Sequence, residues 1–402
     1  MTVRSMALTA LVGTLLLPTL SAAHLVHKRK LLSVREAAKG LYADRKVCVD
    51  RDSGNVQCYP DLMFVGESKA GTTSISSYLW QHPHVAMQSW NPLLQFFKPD
   101  AEFHQNKPLP LEPHIFDQHI LPNSIMESMN WITAPTASKE KMGDFLQMHY
   151  TPNYFYCPDA PYQIVDIYPN AKSIKYFVML RDPTKRAVSA WKFHTAPPDL
   201  LLNVVRDPRT FKEAVDEGIS QRLALEACYA AELTVESQIL SFAAKRSPPP
   251  SFVEDLPIPR QRHIINKCFW NERGTHDSSN PLVMMRLMHS HVDKGIYIDA
   301  VRRWSALLGG LAQLHIFSLE GWVADPHGSF TNITRHAGLE AVGANGFSSE
   351  QQLDRVLNSQ WNEGSPSSKH LTTTNDEDIA RLKAFYAPYT EDLFKFLGQR
   401  LW

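Results

Sequence analysis

The chain has no surplus of either charge: 41 Lys and Arg offset 41 Asp and Glu over 402 residues. A nucleic-acid binder ordinarily carries a basic excess, so no nucleic-acid partner is expected, and any anion must be held at a local site. Apolar poverty and low complexity are also missing. With 44% apolar and 20% charged residues the composition excludes a disordered, collagen-like or coiled-coil protein. No internal repeat is present. No apolar run reaches the roughly 20 residues that span a bilayer; the longest, Met6 to Leu20, has about 15. The five cysteines contain no C-x-x-C pair, which argues against a zinc or dithiol redox site.

What is present begins at the N-terminus. Arg4 precedes the apolar run, and Ser21-Ala22-Ala23 follows as a small-x-small cleavage pattern, the layout of a secretory signal peptide in residues 1–23. Stretched to Val26, the run takes in Ser21 and His24 and reads as a signal anchor, with membrane association through residues 6–26. Either reading puts the remainder in the secretory lumen, cleaved or as a type II membrane protein. Disulfides are expected there. Cys48–Cys58 closes a short loop and Cys228–Cys268 staples a long insertion, but spacing leaves the connectivity open, and an odd count leaves a thiol over. Asn332-Ile333-Thr334 is a glycosylation sequon.

Residues 24–59 are polar and aperiodic, a stem or N-terminal extension. Residues 60–400 read as a single domain with an insertion at about 196–290. Asp61 to Gly66 is a short apolar run ending in Gly, a buried strand. Thr72 to Gln81 is a helix stopped by His82-Pro83. Ser173 to Leu180, apolar and rich in aromatic and β-branched residues, is the strongest strand. Asp182 then suits a helix N-cap and Pro183 its first residue. Residues 209–245 are helical, 247–260 form a Pro-rich loop, and 281–304 are helical in two pieces about Lys294-Gly295. Leu314 to Leu319 is a strand, and residues 376–385 and 389–397 are closing helices. Strands alternating with helices predict an α/β fold with a mainly parallel sheet.

Two motifs carry chemistry. The first is Gly66-Glu-Ser-Lys69-Ala70-Gly71-Thr72-Thr73-Ser74 between strand and helix. Backbone N–H groups of such a turn converge on an anion, and the helix N-terminus adds a favourable dipole. Nucleotide triphosphatases place Lys directly after the second Gly; here Thr72 takes that place and Lys69 precedes Gly71 by two. That suits a Lys contacting a bridging phosphate oxygen without magnesium and argues against a kinase or ATPase. The second motif runs from Arg181 to Ser189 at the carboxyl end of the strongest strand. Open α/β sheets bind ligands at that edge, and an Arg fork with a hydroxyl suits phosphate.

Together these motifs resemble the 5′-phosphosulfate loop and the 3′-phosphate site of sulfotransferases that use 3′-phosphoadenosine 5′-phosphosulfate. Tyr150-Thr-Pro-Asn-Tyr154-Phe155, Gln95-Phe96-Phe97 and Gly295-Ile-Tyr297 with Trp304 and Glu320 resemble segments of the Golgi carbohydrate (heparan and chondroitin) branch. The resemblance covers residues 60–195 well and 290–400 loosely. It implies a P-loop-like three-layer core, a central mainly parallel sheet flanked by helices. It implies sulfonyl transfer to a hydroxyl or amine of a carbohydrate in the Golgi lumen, with no metal required. Lys69, Ala70, Gly71, Thr72, Thr73, Ser74, Arg181 and Ser189 would bind the donor, with Lys369 on a basic loop over the nucleotide.

The sequence departs from that pattern where a general base is expected. Glycan sulfotransferases often carry Glu two residues before the Phe-Phe segment; here that position is Leu93. His149, two residues before Thr151, is the expected base, since imidazole titrates near 6.5. Glu67, Glu102, His82 and His84 are the other candidates. Trp90, Trp131, Trp191, Lys192 and His194 are candidates to line an acceptor cleft. Competing readings change the acceptor to a lipid or other small alcohol, or make the chain a catalytically inactive nucleotide-binding relative.

Overall fold

The computed structural model describes residues 48–50, 56–87, 112, 115–117, 144–195, 207–243, 250–270, 289–359 and 374–402. Strand β1 (Cys48–Asp50) pairs antiparallel with β2 (Val56–Cys58), Cys48 standing opposite Cys58, and Cys58 is disulfide-bonded. Next comes β3 (Leu62–Gly66), buried at every position, as an unbroken apolar run demands of a strand covered on both faces. Helix α1 (Thr72–Trp80) follows, then β4 (Val85–Met87), β5 (Leu146–Tyr150), α2 (Ala160–Ile167), β6 (Lys175–Leu180) and α3 (Pro183–Thr195). The long α4 (Phe211–Ala243) precedes α5 (Ile258–Ile265), a π-helical turn Asn266–Trp270, and α6 (Tyr297–Leu308). Strand β7 (Leu314–Ser318) leads to α7 (Leu319–Ala324), α8 (Pro326–Ala337), α9 (Glu350–Leu357) and α10 (Asp376–Leu397).

The five core strands lie in the order β4-β5-β3-β6-β7, and all four pairings are parallel. Strand alternation sorts their side chains into two layers. Met63, Val65, Tyr176 and Val178 face α2, α3, α4, α6 and α10. Leu62, Phe64, Met148, Tyr150 and Phe177 face α1, α8 and α9. The sequence-derived fold class is therefore the observed one, helices on both faces of a parallel sheet.

The layers also place the ligand-binding edge. Strands β3 and β6 are neighbours, yet the helix after β3 packs on one face and the helix after β6 on the other. The loops that follow them diverge at the carboxyl ends of the strands, the switch point of a doubly wound sheet, where open α/β sheets generally form a ligand crevice.

Two expectations need correction. Strand β5 was not expected, because Gln147 and His149 interrupt its apolar pattern; both are buried on one face while Leu146, Met148 and Tyr150 fill the other. The two closing helices are one, α10, with Pro388 inside it. Leu382, Tyr386, Leu393 and Phe394 continue one buried stripe across that proline, so packing outweighs the missing backbone bond. Residues 211–243, within the expected insertion, send Phe211, Ala214, Val215 and Leu225 into the main core. The Cys228–Cys268 disulfide, with Cα atoms 5.7 Å apart, ties α4 to the π-helical turn, and Cys157 is a free, buried thiol. The sequon lies within α8; Asn332 is exposed, but the hydroxyl of Thr334 is buried and donates to the carbonyl of Phe330. Among the described residues no helix is long and apolar enough to cross a membrane.

Candidate functional site

At the carboxyl end of β3 the chain turns sharply. A Cβ on Gly66 would lie 2.3 Å from the Cβ of Phe155, so the Tyr154-Phe155 segment is seated directly against the loop. Two backbone bonds secure that fit: the N–H of Phe155 donates to Val65 at 2.7 Å, and the N–H of Glu67 donates to Met179 of β6 at 2.8 Å. Lys69 adopts a left-handed backbone conformation (φ 66°), uncommon for a residue with a side chain. Gly71 follows at φ 89° and caps α1 without any side-chain hydrogen bond.

The consequence is a set of unmet donors. The N–H groups of Lys69, Gly71, Thr72 and Thr73 have no acceptor among the described residues. They lie on a turn and the first residues of a helix, where the macrodipole also favours negative charge. Unmet donors grouped in this way are able to receive an anion. Tyr150 of β5 props it from below: its hydroxyl donates to Thr72 Oγ1 at 3.3 Å and shares a 3.1 Å bond with Thr73 Oγ1. Burial raises the Tyr150 pKa, so the phenol stays neutral.

Cations surround the nest. Arg181, at the end of β6, donates from Nη1 to the carbonyl of Lys69 at 3.4 Å, which joins the two motifs across the crevice. Its turn is held from three sides. The carboxylate of Asp182 accepts from the N–H of Lys185, as its expected capping role requires, while Glu320 accepts from the N–H of Asp182 at 3.2 Å. The Tyr297 hydroxyl donates to the carbonyl of Arg181 at 2.9 Å. Ser189 lies two turns into α3, half-buried.

Two cations went unassigned in the sequence. Arg186 is completely buried; Nη2 donates to the carbonyl of His291, while Nε and Nη1 have no acceptor. Lys294 is buried too and donates from Nζ to Asn153 Oδ1 at 2.7 Å. Arg186 was visible within the second motif, but only the packing of α3 reveals that it points inward. Lys294 read merely as a break between helical pieces. Among the described residues, none of Lys69, Arg181, Arg186 and Lys294 is within ion-pairing distance of a carboxylate.

The electrostatics follow from that arrangement. Burial brings Lys69 down to about 8, Arg181 and Arg186 push the same way, and Glu112 opposes them. Burial likewise brings Lys294 to about 8, against the pull of Glu67. Burial raises the Glu67 carboxyl, although Arg186 and Lys294 hold it down in part and Ser68 donates to Oε1 from both its N–H (2.7 Å) and its hydroxyl (3.0 Å). The field of Glu112 reaches Lys69, Tyr150 and Lys294.

The structure thus brings together Lys69, Ala70, Gly71, Thr72, Thr73, Ser74 and Arg181, with Ser189 on the adjoining helix. It does not bring His149 to them. Tyr150 faces the nest, and strand alternation sends His149 to the opposite face, where it is fully buried and its Nε2 bonds the Tyr154 hydroxyl at 3.0 Å. Among the other base candidates, His82 and His84 are tied to the carbonyls of Glu340 and Asp144. Trp191 and His194, considered for a cleft, are core residues bonded to the carbonyls of Arg209 and Ala190. Trp90, Leu93, Gln95-Phe96-Phe97, Glu102, Trp131 and Lys369 lie outside the described residues, as does the N-terminal apolar segment. Among the described residues no group of three or more His, Cys, Asp or Glu is arranged to hold a metal ion.

No family model matches the chain, and no curated protein does. Among solved structures it is similar to a sulfotransferase from Alicyclobacillus acidocaldarius, with 16% identity and a TM-score of 0.45, over 85% of this chain and 97% of that one.

Proposed function

We propose that the chain transfers a sulfonyl group from 3′-phosphoadenosine 5′-phosphosulfate to a hydroxyl or amine of a carbohydrate acceptor. The observation that carries this reading is an uncapped turn of free N–H groups beside cations that, among the described residues, form no ion pair with a carboxylate, all at the switch point. Both phosphate ends of the donor find matching groups. The N–H groups of Lys69, Gly71, Thr72 and Thr73 would hold the 5′-phosphate, and Arg181 with Ser189 the 3′-phosphate. Lys369 remains part of the proposal as a cover for the nucleotide.

In the reaction the acceptor oxygen attacks sulfur, and the bond from sulfur to the 5′-phosphate oxygen breaks. Charge grows on that leaving oxygen, and Lys69 and the nest face it in a poorly hydrated crevice where such contacts are strongest. The acceptor proton needs a base beside Lys69. Glu112 fills that role in this proposal, because its charge is felt by Lys69, Tyr150 and Lys294. Secretory, Golgi-type placement is supported by the N-terminal leader pattern and by the Cys228–Cys268 disulfide.

The test is a thermal-shift titration of the protein with 3′-phosphoadenosine 5′-phosphate against ADP, with and without magnesium. At a hundred times its dissociation constant a ligand adds about 2.7 kcal/mol. A shift with the 3′-phosphorylated nucleotide that does not depend on magnesium is expected. A preference for ADP with magnesium, or no shift, overturns the reading.

A further inference from the structure

Lys69 crosses the crevice to meet an aromatic ring. Its Nζ lies 3.8 Å from the centroid of Phe193, near the C-terminal end of α3. That is well inside the roughly 6 Å range of a cation–π contact. Phe193 gains little from the core, since 37% of it is exposed. His194 stands edge-on to the same ring with centroids 5.2 Å apart. The charges that act on Lys69 are Arg181 and Arg186, which repel it, and Glu112, which attracts it.

We propose that Phe193 is a positioning residue, its ring face holding the Lys69 ammonium at the mouth of the nest until a phosphate draws it across. The chemistry explains why a ring serves where a carboxylate would not. A carboxylate at that distance neutralises the lysine and competes with the incoming anion. A ring quadrupole keeps the ammonium ordered without bringing an opposing charge, and yields it to a phosphate at small cost. The identity of the anion rests on the sulfotransferase reading, while the berth itself rests on the contact.

The two are separable by NMR of the full chain with its lysines carrying 13C-dimethyl groups, which preserve the positive charge. Lys69→Arg assigns the Lys69 signal by its disappearance. Ring current predicts an upfield position for it in the wild-type protein, retained in Phe193→Tyr and lost in Phe193→Leu. The pH titration of that signal moves in Phe193→Leu and not in Phe193→Tyr. Addition of 3′-phosphoadenosine 5′-phosphate moves it away from the upfield position in the wild-type protein. A Lys69 signal that is not upfield, or that is the same in Phe193→Leu, overturns the berth. An upfield signal lost in Phe193→Leu but unmoved by a nucleotide that calorimetry shows not to bind upholds the berth and overturns the donor reading instead. Because the ring is partly in water, Phe193→Leu is expected to fold, and an unchanged melting temperature verifies it.

Discussion

Arg186 and Arg222 are both deeply buried, and the protein treats them in opposite ways. Arg222 on α4 bonds Asp299 at 2.5 Å and Glu226 at 2.8 Å and lies 3.4 Å from Asp293. Nearby, Arg209 is matched to Asp207 and Glu217, and Arg303 to Glu254. Across the crevice Arg186, Lys294, Lys69 and Arg181 have no such partner among the described residues. The boundary between the two regimes falls between adjacent residues. The Tyr156 hydroxyl bonds Asp293 at 2.7 Å, on the paired side, while its ring faces the ammonium of Lys294. Buried charge is tolerable when it is neutralised locally. Where it is left without an ion pair, the fold gives up stability and leaves a positive field at the carboxyl ends of the strands.

The contrast is most easily broken from its paired side. Arg222→Met strands Asp293 and Asp299 and should cost about 3–5 kcal/mol in urea unfolding. Lys294→Met, on the other side, should stay within about 1 kcal/mol, because it removes a buried charge that no described carboxylate ion-pairs and that only the more distant Glu67 attracts. Equal losses in the two variants would dissolve the distinction. Lys69→Met and Arg181→Met should each weaken calorimetric binding of 3′-phosphoadenosine 5′-phosphate about a hundredfold, roughly 2–3 kcal/mol for a charged hydrogen bond. Each should leave the unliganded melting temperature nearly unchanged.

Acidity sharpens the same point with two opposite slopes. Lys69 sits at about 8 in the fold against an ordinary 10.5. Nucleotide affinity should therefore fall as pH rises through about 8, by up to tenfold per unit for each ammonium engaged. Stability of the unliganded protein should rise from about 8 towards 10.5, since across that window the unfolded chain binds more protons than the native one. The smallest effect is expected from Tyr150→Phe. It deletes the hydroxyl under Thr72 and Thr73 and should cost about 1 kcal/mol, shared between stability and nucleotide binding.

Much of this was readable in advance, and the reason differs from one element to another. Strands β3 and β6 are continuous apolar runs, and Asp182-Pro183 starts a helix by local stereochemistry, so neighbouring residues were enough. Gly66 to Thr73 was legible as a strand-to-helix turn because glycine spacing and a helix start are short-range properties. Strand β5 was hidden because its partners, β3 and β4, supply the burial that its own Gln147 and His149 do not advertise. With β5 hidden, the facing of His149 was hidden as well, and a histidine well chosen by pKa proved to point into the core. Lys294 and Phe193 gave no signal, since each matters only through a residue more than a hundred positions away.

By itself the sequence determined the class of fold and the strand-to-helix turns after β3 and β6, because periodicity, turn chemistry and capping act over a few residues. Which charges would be matched and which left open was decided only when α4, α6 and the crevice strands came together. Ion pairing and desolvation depend on distance through space, and no spacing along the chain encodes that.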